Sequence, residues 1–95
     1  MRVRFFAHIR KITGCVEADI PYQETIGALA RSLCELYGEE LRNKIFPAGD
    51  SDGAETFGPD IIILINGRHV VHLGGPAAPL QPDDRVDIFP VVAGG

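Results

Sequence analysis

Ile61-Ile62-Ile63-Leu64-Ile65 places five aliphatic residues in a row, four of them β-branched. A strand sends successive side chains to opposite faces, so this run puts apolar groups on both sides of a sheet. Each side then needs a cover. Elsewhere the chain offers one long helical stripe, in which Ile26, Leu29, Ala30, Leu33 and Tyr37 fall at i, i+3, i+4, i+7 spacing. Thr25 is placed to cap that helix and Gly38 to end it. One helix covers one face of a sheet, and the other face keeps an apolar set with nothing in the chain to cover it.

The remaining segments read as strands and turns. Arg2 to His8 alternates, with Val3, Phe5 and Ala7 on one face and Arg2, Arg4, Phe6 and His8 on the other. Thr13-Gly14 signals a turn into a second strand, Cys15 to Ile20, which Pro21 ends, giving an amino-terminal hairpin. Glu39 to Phe46 has room for a further short turn of helix. Pro47 to Pro59 is rich in Gly, Asp and Pro and reads as a long flexible loop. Asn66-Gly67 is a strong hairpin signal, with Arg68 to Leu73 returning as a short strand. A Pro-punctuated loop, Gly74 to Asp84, leads to the last strand, Arg85 to Phe89. The order β-β-α-β-β-β predicts an α+β fold, a mixed sheet of four to five strands with one main helix packed on one face. If that helix covers Val3, Phe5, Ala7, Val86 and Ile88, then Phe6 and Phe89 point away from it. They form an apolar patch rimmed by Arg2, Arg4, Arg85 and Asp87, the composition of a protein–protein interface.

Ninety-five residues, 45% of them hydrophobic, suffice for one domain with a single core. A net charge of −4 argues against nucleic acid as the main partner, and no apolar run reaches the ~20 residues of a membrane helix. The amino terminus lacks signal-peptide architecture, and Cys15 and Cys34 form no C-x-x-C pair, so a cytoplasmic protein with reduced thiols is expected. The domain is read as residues 1–90, followed by a flexible tail at 91–95. Val91-Val92-Ala93-Gly94-Gly95 spans about 17 Å when extended, at ~3.3–3.6 Å per residue. Its two glycines lack a Cβ and can pass through a narrow slot, which suits a carboxylate delivered into another protein's active site.

Other constellations carry less. His69 and His72 lie three apart on the expected strand and would face opposite sides, so they read as surface histidines rather than a metal pair. No metal site is expected. Cys34 beside the apolar stripe and Cys15 in the second strand read as inert thiols rather than persulfide carriers. Gly74-Gly75 reads as a turn, Arg10-Lys11 as a solvated face, and Asp83-Asp84 as shaping the turn into the last strand.

Three segments, RVRFFAHIRKITG at 2–14, ILINGRHV at 63–70 and PLQPDDRVDIFPVVAGG at 79–95, together resemble the MoaD/ThiS family of ubiquitin-like sulfur carriers. The likeness is greatest to MoaD, the small subunit of molybdopterin synthase, and it spans essentially the whole chain. It implies a β-grasp fold and a non-catalytic carrier subunit that binds no cofactor of its own. An E1-like, MoeB-like adenylyltransferase would use ATP to adenylate the Gly95 carboxylate, and a persulfide sulfur donor would convert it to a thiocarboxylate. A MoaE-like large subunit would then accept the threaded tail, and the sulfur would build the dithiolene of a pterin. On this resemblance Gly94 and Gly95 are the reactive end, while Phe6, Phe89, Pro90, Val91, Val92 and Ala93 meet the partner. Two features depart from the family pattern: Val91-Val92 stands where Pro-Val often follows IFP, and the 47–60 loop lengthens the chain. The same activated tail also fits a ubiquitin-like modifier joined through Gly95 to lysines, or a ThiS-like carrier supplying sulfur for thiazole synthesis. A purely structural binding module is the remaining alternative.

Overall fold

The aliphatic run becomes the inner strand it suggested. The computed structural model describes residues 1–47 and 57–91, and in it five strands form one mixed sheet. They are β1 (Arg2–Phe5), β2 (Glu17–Asp19), β3 (Ile61–Ile65), β4 (Arg68–His69) and β5 (Arg85–Pro90), in the spatial order β2-β1-β5-β3-β4. β5 runs parallel to β1 and antiparallel to β3, so the last strand in sequence occupies the middle of the sheet. A parallel neighbour requires a crossover, and the long helix supplies it.

That helix, α2 (Ile26–Tyr37), starts where the Thr25 hydroxyl accepts a hydrogen bond from the Ala28 amide at 3.2 Å, an N-cap of the expected kind. Its stripe of Ile26, Leu29, Ala30 and Leu33 is buried against Val3, Phe5, Ile63, Val86 and Ile88 from three strands. Fully burying each such side chain is worth about 1.5–3 kcal/mol, so this interface is the main source of the fold's stability. Gly38, at φ 95°, ends α2 and opens α3 (Glu39–Ile45), a two-turn helix that buries Leu41 and Ile45. Asn66 (φ 52°) and Gly67 (φ 84°) are both left-handed, the conformation that the tight β3–β4 turn needs.

Several expectations are corrected. β1 stops at Phe5 instead of running to His8, because Ala7 adopts φ 52° and turns the chain out of the sheet. Ala7 is therefore exposed and not on the core face. The expected hairpin connection contains a short helix, α1 (Ile9–Thr13), whose Ile9 is buried and whose Arg10 Nε donates to the Phe5 carbonyl at 2.8 Å. β2 is shorter than Cys15 to Ile20. The return strand after Gly67 lasts two residues before a 3-10 turn at Val70–His72. A second such turn, Gly75–Ala77, precedes β5. The loop at 48–56 and the tail at 92–95 lie outside the described residues.

Candidate functional site

Charge and aromaticity are sorted along the sheet face that α2 leaves open. In the parallel register Arg2 lies beside Arg85 and Arg4 beside Asp87, and Phe5 beside Ile88 carries the pairing to its end. One residue further on, the Phe6 amide donates to the Ile88 carbonyl at 3.1 Å, which keeps Phe6 in line with Phe89. Their rings stack with centroids 4.1 Å apart and planes 9° from parallel. Phe89 also faces Ile62 across the antiparallel β3–β5 pair. The result is an apolar row, Phe6–Phe89–Ile62, partly exposed on all three residues, at the end of the sheet where β5 finishes. Sequence alternation had placed Phe6 and Phe89 on this face, and the structure brings them into direct contact.

The charged row beside it differs from expectation. Asp87 was read as part of an exposed rim, yet only 4% of it is accessible. Arg4 grips it with both ends of the guanidinium fork, Nε to Oδ1 at 2.8 Å and Nη2 to Oδ2 at 3.1 Å, and Arg85 Nε approaches Oδ2 at 3.6 Å. The sheet register causes this burial, since β1 and β3 flank Asp87 closely on both sides and the arginines close over it. The hydrogen bond to Asp87 raises the pKa of Arg4 further above its already high ordinary value, so the guanidinium stays charged. A bidentate pair fixes direction as well as distance. It holds the Arg4 guanidinium 5.4 Å from the centroid of Phe6, and Arg10 lies at 5.5 Å from the same ring. Two cations beside one aromatic ring leave donor groups around an apolar platform.

Pro90 is buried as the last residue of β5, opposite Ile61, and so belongs to the sheet rather than to the exposed patch. Val91 is exposed, and its amide donates to the Asp60 carbonyl at 2.9 Å, which fixes the point and direction of exit from the sheet. Val92, Ala93, Gly94 and Gly95 lie outside the described residues. The anchored strand end, the aromatic pair and the buried ion pair are thus gathered on one side of the exit point. Asp84 also helps to place β5: it accepts from Asn66 Nδ2 and the Gln81 amide, both at 2.8 Å, while Asn66 Oδ1 accepts from the Arg85 amide at 2.9 Å.

The two histidines were expected to diverge along a strand. The 3-10 turn at Val70 instead brings their rings to 6.2 Å, and His69 Nδ1 accepts from the Val71 amide. Among the described residues no group of three or more His, Cys, Asp or Glu side chains could hold a metal ion. Cys34 is buried, and that burial pushes its thiol up to about 11, the opposite of activation. Cys15 Sγ lies 3.6 Å from the Tyr37 hydroxyl, which desolvation first and this contact second push up to about 12. No helix among the described residues is long and apolar enough to cross a membrane.

A mixed sheet grasping one long helix, with its central strand ending at a held exit point, defines a β-grasp, ubiquitin-like domain, a carrier or modifier rather than a catalytic enzyme. The chain belongs to the ThiS family, whose model matches residues 3–95. It is 35% identical to small archaeal modifier protein 3 of Haloferax volcanii, over all of this chain and 98% of that one. The solution structure of small archaeal modifier protein 1 from Methanosarcina acetivorans superposes with a TM-score of 0.82 at 33% identity, covering 99% of this chain and 94% of the other. A Pyrococcus furiosus structure described as molybdopterin converting factor, subunit 1, superposes with a TM-score of 0.67 at 25% identity, covering 96% and 95% respectively.

Proposed function

We propose that this protein is a ubiquitin-like modifier, activated at the carboxylate of Gly95 and joined to lysine amines of other proteins. The observation that carries this reading is the 35% identity, across the whole of this chain, to a small archaeal modifier protein. The chemistry is simple to balance. A carboxylate is a poor electrophile, so an E1-like enzyme forms an acyl-adenylate from it and ATP, releasing pyrophosphate. A lysine amine then attacks the carbonyl carbon, an isopeptide bond forms, and AMP leaves. The chain itself supplies no general acid or base to this sequence. Its part is to present the Phe6–Phe89 platform for docking and to aim the tail from the fixed end of β5, which replaces diffusion by positioning.

Sulfur carriage is a second reading, favoured by membership of the ThiS family and by the P. furiosus neighbour. It shares the adenylation step. The terminal sulfur of a persulfide donor then displaces AMP to form an acyl disulfide, and a second thiol of the donor cleaves its S–S bond, leaving a disulfide on the donor and a thiocarboxylate at Gly95 for a MoaE-like subunit that builds a pterin dithiolene. A thiazole-forming partner would use the same group.

One experiment separates the two. The protein is incubated with a cognate E1-like enzyme and ATP, with and without a persulfide donor, in the presence of extract proteins. Conjugation gives a branched peptide carrying the tail on a lysine; sulfur loading adds ~16 Da to the intact mass as sulfur replaces oxygen. Deleting Gly95 should abolish both products and leave the melting curve unchanged. A protein that gains neither product with any cognate activating enzyme refutes both readings.

A further inference from the structure

Between the start of β3 and the two 3-10 turns lies a pocket of about 300 Å³. Phe57, Ile61, Val70 and the exposed Val71 give it an apolar lining. Gly74 and Gly75 also line it, so on that side a ligand meets bare backbone. Among the described residues the lining carries no carboxylate, and its polar side chain is His69. His69 Nδ1 accepts from the Val71 amide at 3.1 Å, so the neutral ring carries its proton on Nε2 as a donor. In a chain of net charge −4, this is a place where an anionic group can be received.

The pocket adjoins the point where the chain leaves the sheet. Ile61 pairs directly with Pro90, the last residue of β5, and the Val91 amide is held by the Asp60 carbonyl. Paired residues on neighbouring strands stand ~5 Å apart. Val92 to Gly95, beyond the described residues, span about 13 Å at ~3.3 Å each. That length suffices to turn across the start of β3 and enter the pocket. The composition fits as well. Val92 and Ala93 are apolar, and Gly94-Gly95 ends in a carboxylate with no side chain to obstruct it beside a glycine wall.

We propose that this pocket binds a C-terminal carboxylate preceded by an apolar–glycine–glycine sequence, and that its occupant is the chain's own tail, residues 92–95. Val92 and Ala93 pack against Ile61 and Val71, and the Gly95 carboxylate accepts from His69 Nε2 beside the Gly74–Gly75 backbone. Ile61 and Ile62 face opposite sides of β3, so the pocket and the Phe6–Phe89–Ile62 row are on different faces. A stored tail is thereby withheld from an activating enzyme while the docking row stays open. That consequence rests on the function proposed above; the binding itself does not.

The test compares the intact chain, isotopically labelled, with a variant lacking the last four residues, which keeps every described residue of the fold. Their NMR spectra should differ at Ile61, His69, Val71 and Gly74, and agree at Phe6 and Phe89. Acetylated Val-Val-Ala-Gly-Gly peptide should restore the intact shifts in the shortened chain with a Kd of ~0.1 mM. It should bind the intact chain ~tenfold more weakly, because the linked tail competes at an effective concentration of ~1 mM. Amidating the peptide's carboxylate should weaken binding ~tenfold. Val71→Glu, at an exposed position, should do the same by like-charge repulsion, with an unchanged melting curve. Four results would overturn the proposal: identical spectra of the two chains at the pocket, equal affinity of both for the peptide, equal binding of acid and amide, or shifts centred on Phe6 and Phe89. Shifts at Val71 and Gly74 that grow with the concentration of the intact chain would place the tail of a second copy in the pocket and overturn the assignment to the chain's own tail. No activating enzyme or ATP is involved, so the outcome is independent of the chemistry proposed for Gly95.

Discussion

Truncating Phe89 to alanine removes one half of the stacked pair and bares the exit side of the sheet. Its magnitude follows from the geometry. A fully buried Phe→Ala change costs 3–5 kcal/mol, and Phe5, which is 0% exposed against α2, should fall in that range. Phe89 is only partly buried, and water can refill the space it leaves, so no closed cavity adds to the loss. What goes is a share of its burial together with the stack on Phe6, the latter worth ~0.5–1.5 kcal/mol at 4.1 Å. A total near 2 kcal/mol is expected, or a fall in melting temperature of ~8–16 °C for a domain of this size. Binding should suffer more than folding, since a central aromatic anchor commonly costs ≥2 kcal/mol when truncated, and with its neighbour Phe6 also freed from the stack the loss should exceed ~30-fold. The assay pairs urea unfolding of Phe89→Ala and Phe5→Ala with titration of the folded Phe89 variant against the activating enzyme. If Phe89→Ala unfolds as readily as Phe5→Ala yet binds with unchanged affinity, the open face is structural and the docking argument fails.

Two further predictions test the packing directly. In Gly27→Ala the new Cβ would stand 2.8 Å from the Pro76 carbonyl oxygen and 3.0 Å from the Pro76 Cβ. The helix-propensity gain of ~1 kcal/mol should lose to overpacking of ~1–3 kcal/mol, giving a net drop in urea midpoint. Burial raises Cys34 from an ordinary value of 9.0 to about 11 and Tyr37 from 10.0 to about 12. The folded state thus holds these protons at pH values where the unfolded chain has released them. Their stabilisation is complete below pH 9 and lost as pH rises through 11–12, and Cys34→Ala should flatten the lower part of that fall in a melting-temperature series.

Much of this molecule is written locally. α2, its Thr25 cap, the Asn66-Gly67 turn and the inner strands β3 and β5 follow from periodicities and turn residues within a few positions of one another. Strand alternation also assigned Phe6 and Phe89 to the face away from the helix, because parity along a strand is independent of what the strand pairs with. The rest depended on contacts between distant residues. Nothing in His8 to Thr13 marks a helix, since five residues are too few for a period, and the positive φ of Ala7 that launches α1 is one alanine rarely adopts. The return strand ends early for a similar reason, as Val70 turns inward to be buried. Asp87 looked like a rim residue because a lone carboxylate on a strand normally reaches solvent. Only the parallel register of β1 with β5 sets Arg4 against it across 83 residues of sequence and lets the pair be buried. Local alternation sorted the residues onto their faces, while long-range packing set which of them touch, because register between strands joined by long connections is set by the packing of the whole sheet on α2.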